Sequence, residues 1–301
     1  MTARESFSRA RRRLVEGVLG VDLAAFVERS DAAHAQVAED AVFERRRFMA
    51  QIATLRAARD DIPGLTAELA KVRASAAYAA AFREAEPLVT VRIHSYTRTQ
   101  ELIDVALASV FRQSYERLEV VIVNDGPNPA TRKAVEGLRD PRIRYSELPE
   151  RGSYPADLRS RWWVAGCPAA NRAIELAKGT WLAPLDDDDE FSPDHIEKLL
   201  AAAKKESAEL SYGALIQKDL VEGTEVRIWS DPPSFDQFSF QGSLYLGLLK
   251  FFRYDEGSWM LDEPADWNLI RRMKESGVRM TSIEDLIGTM NFVPVSSKSA
   301  D

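Results

Sequence analysis

Residues 118–126 read LEVVIVNDG, a near-continuous apolar, β-branched run closed by an acid and a glycine. Runs of this kind form strands buried on both faces of a parallel sheet, and an Asp-Gly pair lets the backbone turn at the strand's end. Upstream, Leu88 to His94 reads as another short strand. Thr99 to Gln113 reads as an amphipathic helix with Leu102, Val105, Ala106, Ser109 and Val110 inward. Downstream, Asn128-Pro129 opens a helix as cap and first residue, with Val135 and Leu138 facing in. Arg142 to Tyr145 reads as a third strand, Pro168 to Lys178 as a helix stopped by Gly179, and Thr180 to Leu185 as another buried strand. Ser192-Pro193 caps one more helix through Ala203. This alternation predicts a Rossmann-like α/β sheet, whose ligands sit beyond the carboxyl ends of the strands.

The remaining composition bounds the function. Among 301 residues, 40 Lys and Arg face 47 Asp and Glu, a net charge of −7, which argues against gripping nucleic-acid phosphates. The lone Cys167 excludes an intramolecular disulfide and a cysteine-rich zinc site, and fits a cytoplasmic chain. No apolar run approaches the ~18 residues of a membrane span; Leu244 to Phe252 is short and contains Lys250. Arg11, Arg12 and Arg13 precede Leu14 to Phe26, but Glu16 and Asp22 interrupt that stretch, so it reads as a helix rather than an export signal. The basic cluster from Arg4 to Arg13 is either a solvated helix face or a peripheral contact with anionic lipid on the inner face of the membrane.

Composition changes near Pro87. Residues 1–86 are rich in Ala, Arg and Glu and hold no Trp; residues 87–301 hold all six. The first segment is expected to be a helical arm. His34, Val37, Ala41, Phe48, Ile52 and Leu55 recur on one helical face, Asp60 to Gly64 breaks it, and Leu65, Leu69, Val72, Ala76 and Ala79 resume it. An antiparallel hairpin serving as a docking or homodimerising arm is the expectation, with its thin Ala seam packed on something else. The second segment carries the α/β domain.

Three acidic features fall at strand ends or helix starts in that domain. Asp125 follows LEVVIV. Asp186, Asp187, Asp188 and Asp189 follow the buried strand WLAPL. Four adjacent carboxylates repel one another, and Mg²⁺ or Mn²⁺ is the hard, oxygen-seeking ion that would offset this, typically with one or two carboxylates and substrate phosphates; a solvated acidic turn is the alternative. Asp266 sits in the first turn of a helix with Leu269, Ile270 and Met273 inward, where the helix dipole favours a carboxylate whether or not it is catalytic. His195, in SPDHIEKLL, reads as a surface or capping histidine. Cys167, at a helix start, is a candidate for a lowered pKa.

The runs VTVRIHSYTR (89–98), SVFRQSYERLEVVIVNDG (109–126), AANRAIELAKGTWLAPLDDDDEF (169–191) and ADWNLIRRMKESGVRM (265–280), in this order, resemble the inverting GT-A glycosyltransferases of family two. The resemblance covers roughly Leu88 to Ser282. It implies a GT-A fold in which Ser95, Tyr96 and Arg98 cradle a nucleotide, Asp125 reads the base, and Asp186 and Asp187 lie near ribose and diphosphate. It further implies that Asp188 of the D-x-D element ligates the metal and that Asp266 is the general base. Asn171, Arg172 and Trp259 are candidate donor or acceptor contacts. The chain departs from the family's pattern at His94, where Pro is usual, at Ala170, where Arg is usual, and at Ala265, where a second acid is usual; residues 148–166, with Trp162 and Trp163, form a longer segment. The implied activity is metal-dependent, inverting transfer of a hexose from a nucleoside-diphosphate donor, expected to be UDP-linked, to a hydroxyl on a saccharide, lipid-linked or small-molecule acceptor. A retaining transferase and a non-catalytic GT-A-like binding module are the alternatives.

Overall fold

The computed structural model describes residues 23–293. The chain divides into two compact units between Arg59 and Asp60. The first contains a 37-residue helix, α1 (Leu23–Arg59), on which Val37, Phe48 and Leu55 are exposed. Arg4, Arg9, Arg11, Arg12, Arg13 and the tail beyond Val293 lie outside the described residues.

The second unit begins where the sequence signals a break. Asp61 caps α2 (Ile62–Arg73) by accepting from the Gly64 amide at 3.1 Å, and Pro63 occupies the first turn, where no amide is needed. The expected continuous helix through Ala79 is instead two. Ser75 Oγ accepts from the Tyr78 amide at 3.2 Å and starts α3 (Ala76–Arg83). The break rotates the second helix, so Ala76 and Ala79 are exposed while Ala81 is buried and Tyr78 and Phe82 pack on the core with Leu65 and Leu69. Both helices are tied to the α/β body. Glu209, with its side chain fully buried, accepts from Arg73 at 2.6 and 2.8 Å, from the Tyr78 hydroxyl at 2.7 Å and from the Arg279 amide at 2.7 Å. The Phe82 ring meets Trp181 edge-on at 5.7 Å. The compact unit therefore starts about a helical hairpin earlier than the composition change at Pro87, because short helices with few apolar residues contribute to a core that composition attributes only to the segment after them.

Nine strands of the described residues form one sheet: β1 (Val89–Ser95), β2 (Leu118–Asn124), β3 (Ile143–Glu147), β4 (Trp181–Asp186), β5 (Glu190–Phe191), β6 (Leu210–Asp219), β7 (Glu225–Ile228), β8 (Ser243–Leu246) and β9 (Met280–Phe292). Their order is β3-β2-β1-β4-β8-β6-β9-β5, with β7 added to β6. Strands β3, β2, β1 and β4 run parallel, as LEVVIV and WLAPL require; β8 is antiparallel to both β4 and β6. Helices α4 (residues 99–111), α5 (Pro129–Gly137), α6 (Leu158–Val164), α7 (Cys167–Leu176), α8 (His195–Glu206) and α9 (Ala265–Glu275) connect the strands or cover the sheet. The main core is built on Val89, Val91 and Ile93 of β1, Val120 and Ile122 of β2 and Leu182 and Leu185 of β4. Asn128 caps α5 as expected, accepting from the Ala130 and Thr131 amides at 3.1 Å.

Three inward positions differ from expectation. Within α4, residues Leu102–Leu107 form a π turn. Its extra residue per turn rotates the remainder of the helix, so Leu107 is buried and Val105 only partly so. Leu138 ends α5 as its C-cap and is exposed. His195 is fully buried rather than at the surface: Asp194 takes the cap position, and the imidazole turns onto the sheet, Nδ1 2.8 Å from the Ile287 carbonyl and the ring stacked on Phe191. Burial pushes its pKa down to about 4, so it is a neutral core group. No described helix is long and apolar enough to cross a membrane.

Candidate active site

Strand β1 is flanked by β2 on one side and β4 on the other. The chain steps outward from β1 through β2 to β3 and then returns to lay β4 on the other side of β1, a reversal that opens a crevice past the carboxyl ends of the strands. A cavity of about 520 Å³ occupies this region. Arg92 and His94 of β1, Arg98 of the following turn, Asp186 at the end of β4, Asp188 just past it and Asp266 of α9 line it. Aromatic side chains line the same cavity: Phe235 and Trp267 meet edge-on at 5.7 Å, and Trp162 and Phe292 at 6.0 Å.

The four aspartates after Leu185 do not point together. Asp186 is half exposed, its Oδ1 3.6 Å from Nδ1 of His94. Asp187 turns back under β1 and accepts from Ser95 Oγ at 2.8 Å. Burial, reinforced by the Asp188 charge, pushes its carboxyl up to about 7. Asp188 forms a close ion pair with Arg98, whose Nη1 is also 3.4 Å from Asp187 Oδ1. Asp189 is buried and accepts from the Asn291 amide at 2.6 Å; burial and then the Asp186 and Asp188 charges hold its pKa well above the carboxylate range. Among the described residues no three Asp, Glu, His or Cys side chains converge as a protein-only metal site. The donor set still suits a hard ion completed by phosphate oxygens, because Asp186 and Asp188 share one cavity wall and a cation, the Arg98 guanidinium, already stands against Asp188.

Asp266 lies in the first turn of α9, its Oδ1 accepting from the Trp267 amide at 2.7 Å. Burial raises its carboxyl to about 6, with the Asp186 charge adding and the Arg92 charge opposing. The helix start is braced from below. Arg271 donates to both oxygens of buried Glu263 at 2.9 and 2.8 Å and pairs with Asp60 at 2.9 Å. Ala265, at the position of the usual second acid, is buried beside Val164 and Cys167. It also borders the cavity beside Asp266.

Ser95, Tyr96, Asp125 and Asp187 are beside this cavity rather than on its wall. Asp125 is buried, and its two oxygens accept from the Gly152 amide at 2.9 Å and the Tyr154 hydroxyl at 2.6 Å. The Tyr154 oxygen in turn accepts from the Gly166 amide at 3.0 Å. Asp125 therefore fastens the 148–166 segment to the end of β2. Gly126 follows at φ 96°, and a Cβ there would meet the Arg151 amide nitrogen at 2.9 Å. Tyr96 is exposed, with the Arg151 guanidinium 4.0 Å over its ring.

Three candidates stand elsewhere. Asn171 clasps the backbone of Tyr254, donating to its carbonyl at 3.0 Å and accepting from its amide at 2.9 Å. Arg172 points outward to Glu175 and does not replace the arginine missing at Ala170. Trp259 lies in the short helical turn Ser258–Leu261, off the cavity wall. The Cys167 thiol is pushed up rather than down, because burial outweighs the helix start.

Sequence reading missed Arg92, the Tyr154 bridge and the Phe235–Trp267 wall. Arg92 is 1 % exposed, hydrogen-bonds the Tyr254 hydroxyl and stacks on that ring with Cζ 5.0 Å from the centroid, with no carboxylate in ion-pair range among the described residues. An arginine inside the strand VTVRI was the available signal, since a buried cation is costly without a purpose.

Comparison with known proteins agrees with this architecture. Residues 90–268 match the family model described as Glycosyl transferase family 2. WcaA of Escherichia coli (strain K12), named for colanic acid biosynthesis, is 33% identical over 117 residues, 38% of this chain and 37% of that protein. The succinoglycan biosynthesis protein ExoO of Rhizobium meliloti is 29% identical over 145 residues, 48% of this chain and 38% of that protein. The matched segments thus span less than half of those relatives. Among solved structures, residues 1–349 of S. aureus TarS in complex with UDP-GlcNAc align with a TM-score of 0.53 at 17% identity, covering 70% of this chain and 61% of that one.

Proposed function

The chain belongs to glycosyl transferase family 2, and from that premise we propose that it transfers a hexosyl unit from a UDP-linked donor to a hydroxyl acceptor with inversion at the anomeric carbon. The observation that carries this reading is that Asp266, its carboxyl raised to about 6, faces the same cavity as Asp186 and Asp188. A carboxylate titrating there is largely ionised at neutral pH and more basic than an ordinary one, which suits removal of a proton from an attacking hydroxyl. The acceptor hydroxyl approaches between Asp266 and the aromatic wall, loses its proton to Asp266 as it attacks, and displaces the nucleoside diphosphate in one step.

Asp188, with Asp186 beside it, would hold Mg²⁺ or Mn²⁺. The ion's chemistry there is neutralisation of the departing diphosphate as a Lewis acid. On the nucleotide side, Ser95, Tyr96 and Asp187 border the donor, and Asp125 has lone pairs left for the base after its bonds to Gly152 and Tyr154. The aromatic pairs supply apolar faces for sugar rings. A saccharide acceptor fits a relative named for succinoglycan biosynthesis, ExoO.

Calorimetry tests the reading: UDP binding should require Mn²⁺ or Mg²⁺ and disappear in Asp188→Ala. UDP binding indifferent to a chelator overturns the metal assignment. Proton NMR of the product anomer separates inversion from retention.

A further inference from the structure

This inference rests on the proposed function, in which a divalent ion and the donor diphosphate share the wall that carries Asp188. That place already holds a positive charge. Arg98, from the turn after β1, is paired with Asp188 and donates toward Asp187 at 3.4 Å. The two carboxylates are 19% and 10% exposed, so solvent and salt screen this contact less than a surface pair. A guanidinium in contact with the Asp188 oxygen and a metal ion on that same oxygen exclude one another.

We propose that Arg98 is an internal competitor for the metal: in the ligand-free protein its guanidinium closes the Asp187–Asp188 pair, and the divalent ion enters only together with a diphosphate that draws the guanidinium off. The protein alone offers the ion too few oxygens to offset the lost ion pair, since no trio of acidic or imidazole ligands converges among the described residues. A diphosphate changes both sides of the exchange. Its oxygens complete the coordination of the ion, and they offer the arginine fork a bidentate partner of the kind guanidinium prefers. Arg98 is 42% exposed and reaches the cavity wall, so it can move from carboxylate to phosphate without leaving the site. His94 contacts Asp186 rather than Asp187 or Asp188, so it does not take over the role. Metal and nucleotide then bind as a coupled pair, and the coupling factor is the same whichever binds first.

The experiment measures Mn²⁺ binding without turnover, from loss of the free-ion electron paramagnetic resonance signal, with and without UDP. It uses wild type, Arg98→Gln and Arg98→Gln combined with Asp188→Ala. Without nucleotide, Arg98→Gln should bind Mn²⁺ about tenfold or more tightly than wild type, the factor expected for one charge-assisted hydrogen bond removed from competition. UDP should tighten Mn²⁺ binding much more in wild type than in Arg98→Gln, and adding Asp188→Ala should remove the gain. Equal Mn²⁺ affinities for wild type and Arg98→Gln without UDP, or a gain that survives Asp188→Ala, overturn the proposal while UDP binding that needs Mn²⁺ leaves the functional reading standing. UDP binding indifferent to Mn²⁺ in every variant overturns both.

Discussion

Replacing Asp266 by Asn should stabilise the fold while stopping the reaction. The carboxyl moves from 3.8 in the open chain to about 6 in the folded protein, chiefly through burial. Folding therefore favours its protonated form. The sign follows from linkage: below the unfolded pKa both states are protonated and the group contributes no penalty. As pH rises through about 4 to 6 the unfolded chain ionises first, and above about 6 the folded state carries an unfavourable charge. A shift of roughly two pKa units corresponds to about 3 kcal/mol at most; water in the cavity reaches this half-buried group, so about 1–3 kcal/mol is the working range. Asn keeps the oxygen that accepts from the Trp267 amide at 2.7 Å and cannot ionise. Thermal unfolding of Asp266→Asn and wild type should coincide near pH 4 and separate by about 3–8 °C in favour of the variant at pH 8. Transfer should fall by ~10²-fold or more, while wild-type kcat/KM rises with pH through about 6. A melting difference that does not change with pH, or a variant that retains transfer, would refute the assignment of Asp266 as a buried, proton-accepting base.

Arg271→Ala takes the counter-charge from the buried Glu263 and Asp60 carboxylates, leaving Glu263 the Asn268 amide, and should cost about 3–5 kcal/mol in urea unfolding; a loss below about 1 kcal/mol would mean that the brace under α9 is not supporting it. Tyr154→Phe removes the hydroxyl shared by Asp125 and Gly166, with an expected cost of about 1–3 kcal/mol and faster hydrogen exchange across residues 148–166; unchanged exchange would exclude Tyr154 as the fastening point. Gly166 adopts φ 82°, and a Cβ would stand 2.3 Å from His94 Cδ2. Gly166→Ala should therefore destabilise the protein by about 1–3 kcal/mol, and relief by His94→Ala in the same chain would identify the ring as the source of the clash.

The frame of the domain was open to reading because its signals are local. LEVVIV and WLAPL are apolar along their whole length, and Asn128-Pro129 caps a helix by rules that need no tertiary context. Side-chain direction is another matter. Four successive aspartates in a tight turn face different ways, and spacing alone did not tell that Asp187 bonds Ser95 while Asp189 meets the Asn291 amide. His195, read as a surface or capping group, and Cys167, read as a candidate for a lowered pKa, were both misjudged from their helix-terminal positions, because tertiary burial prevailed. Arg172, a candidate donor or acceptor contact by sequence, lies two residues and therefore about 200° of helix from Ala170, and it faces Glu175 instead. The π turn in α4 has no signature in the pattern of apolar residues, so Val105 and Leu107 exchanged roles unseen.

The carboxylate of Glu209 sets a practical limit on dissecting this molecule. Arg73 and Tyr78 supply three of its hydrogen bonds, and both precede Pro87. A fragment excised at the family boundary would keep every residue assigned to catalysis and yet bare the Trp181 ring and leave an anion inside it short of counter-charge. The smallest piece expected to work in isolation therefore begins near Asp60, and inactivity of anything shorter would report on missing scaffolding rather than on missing chemistry.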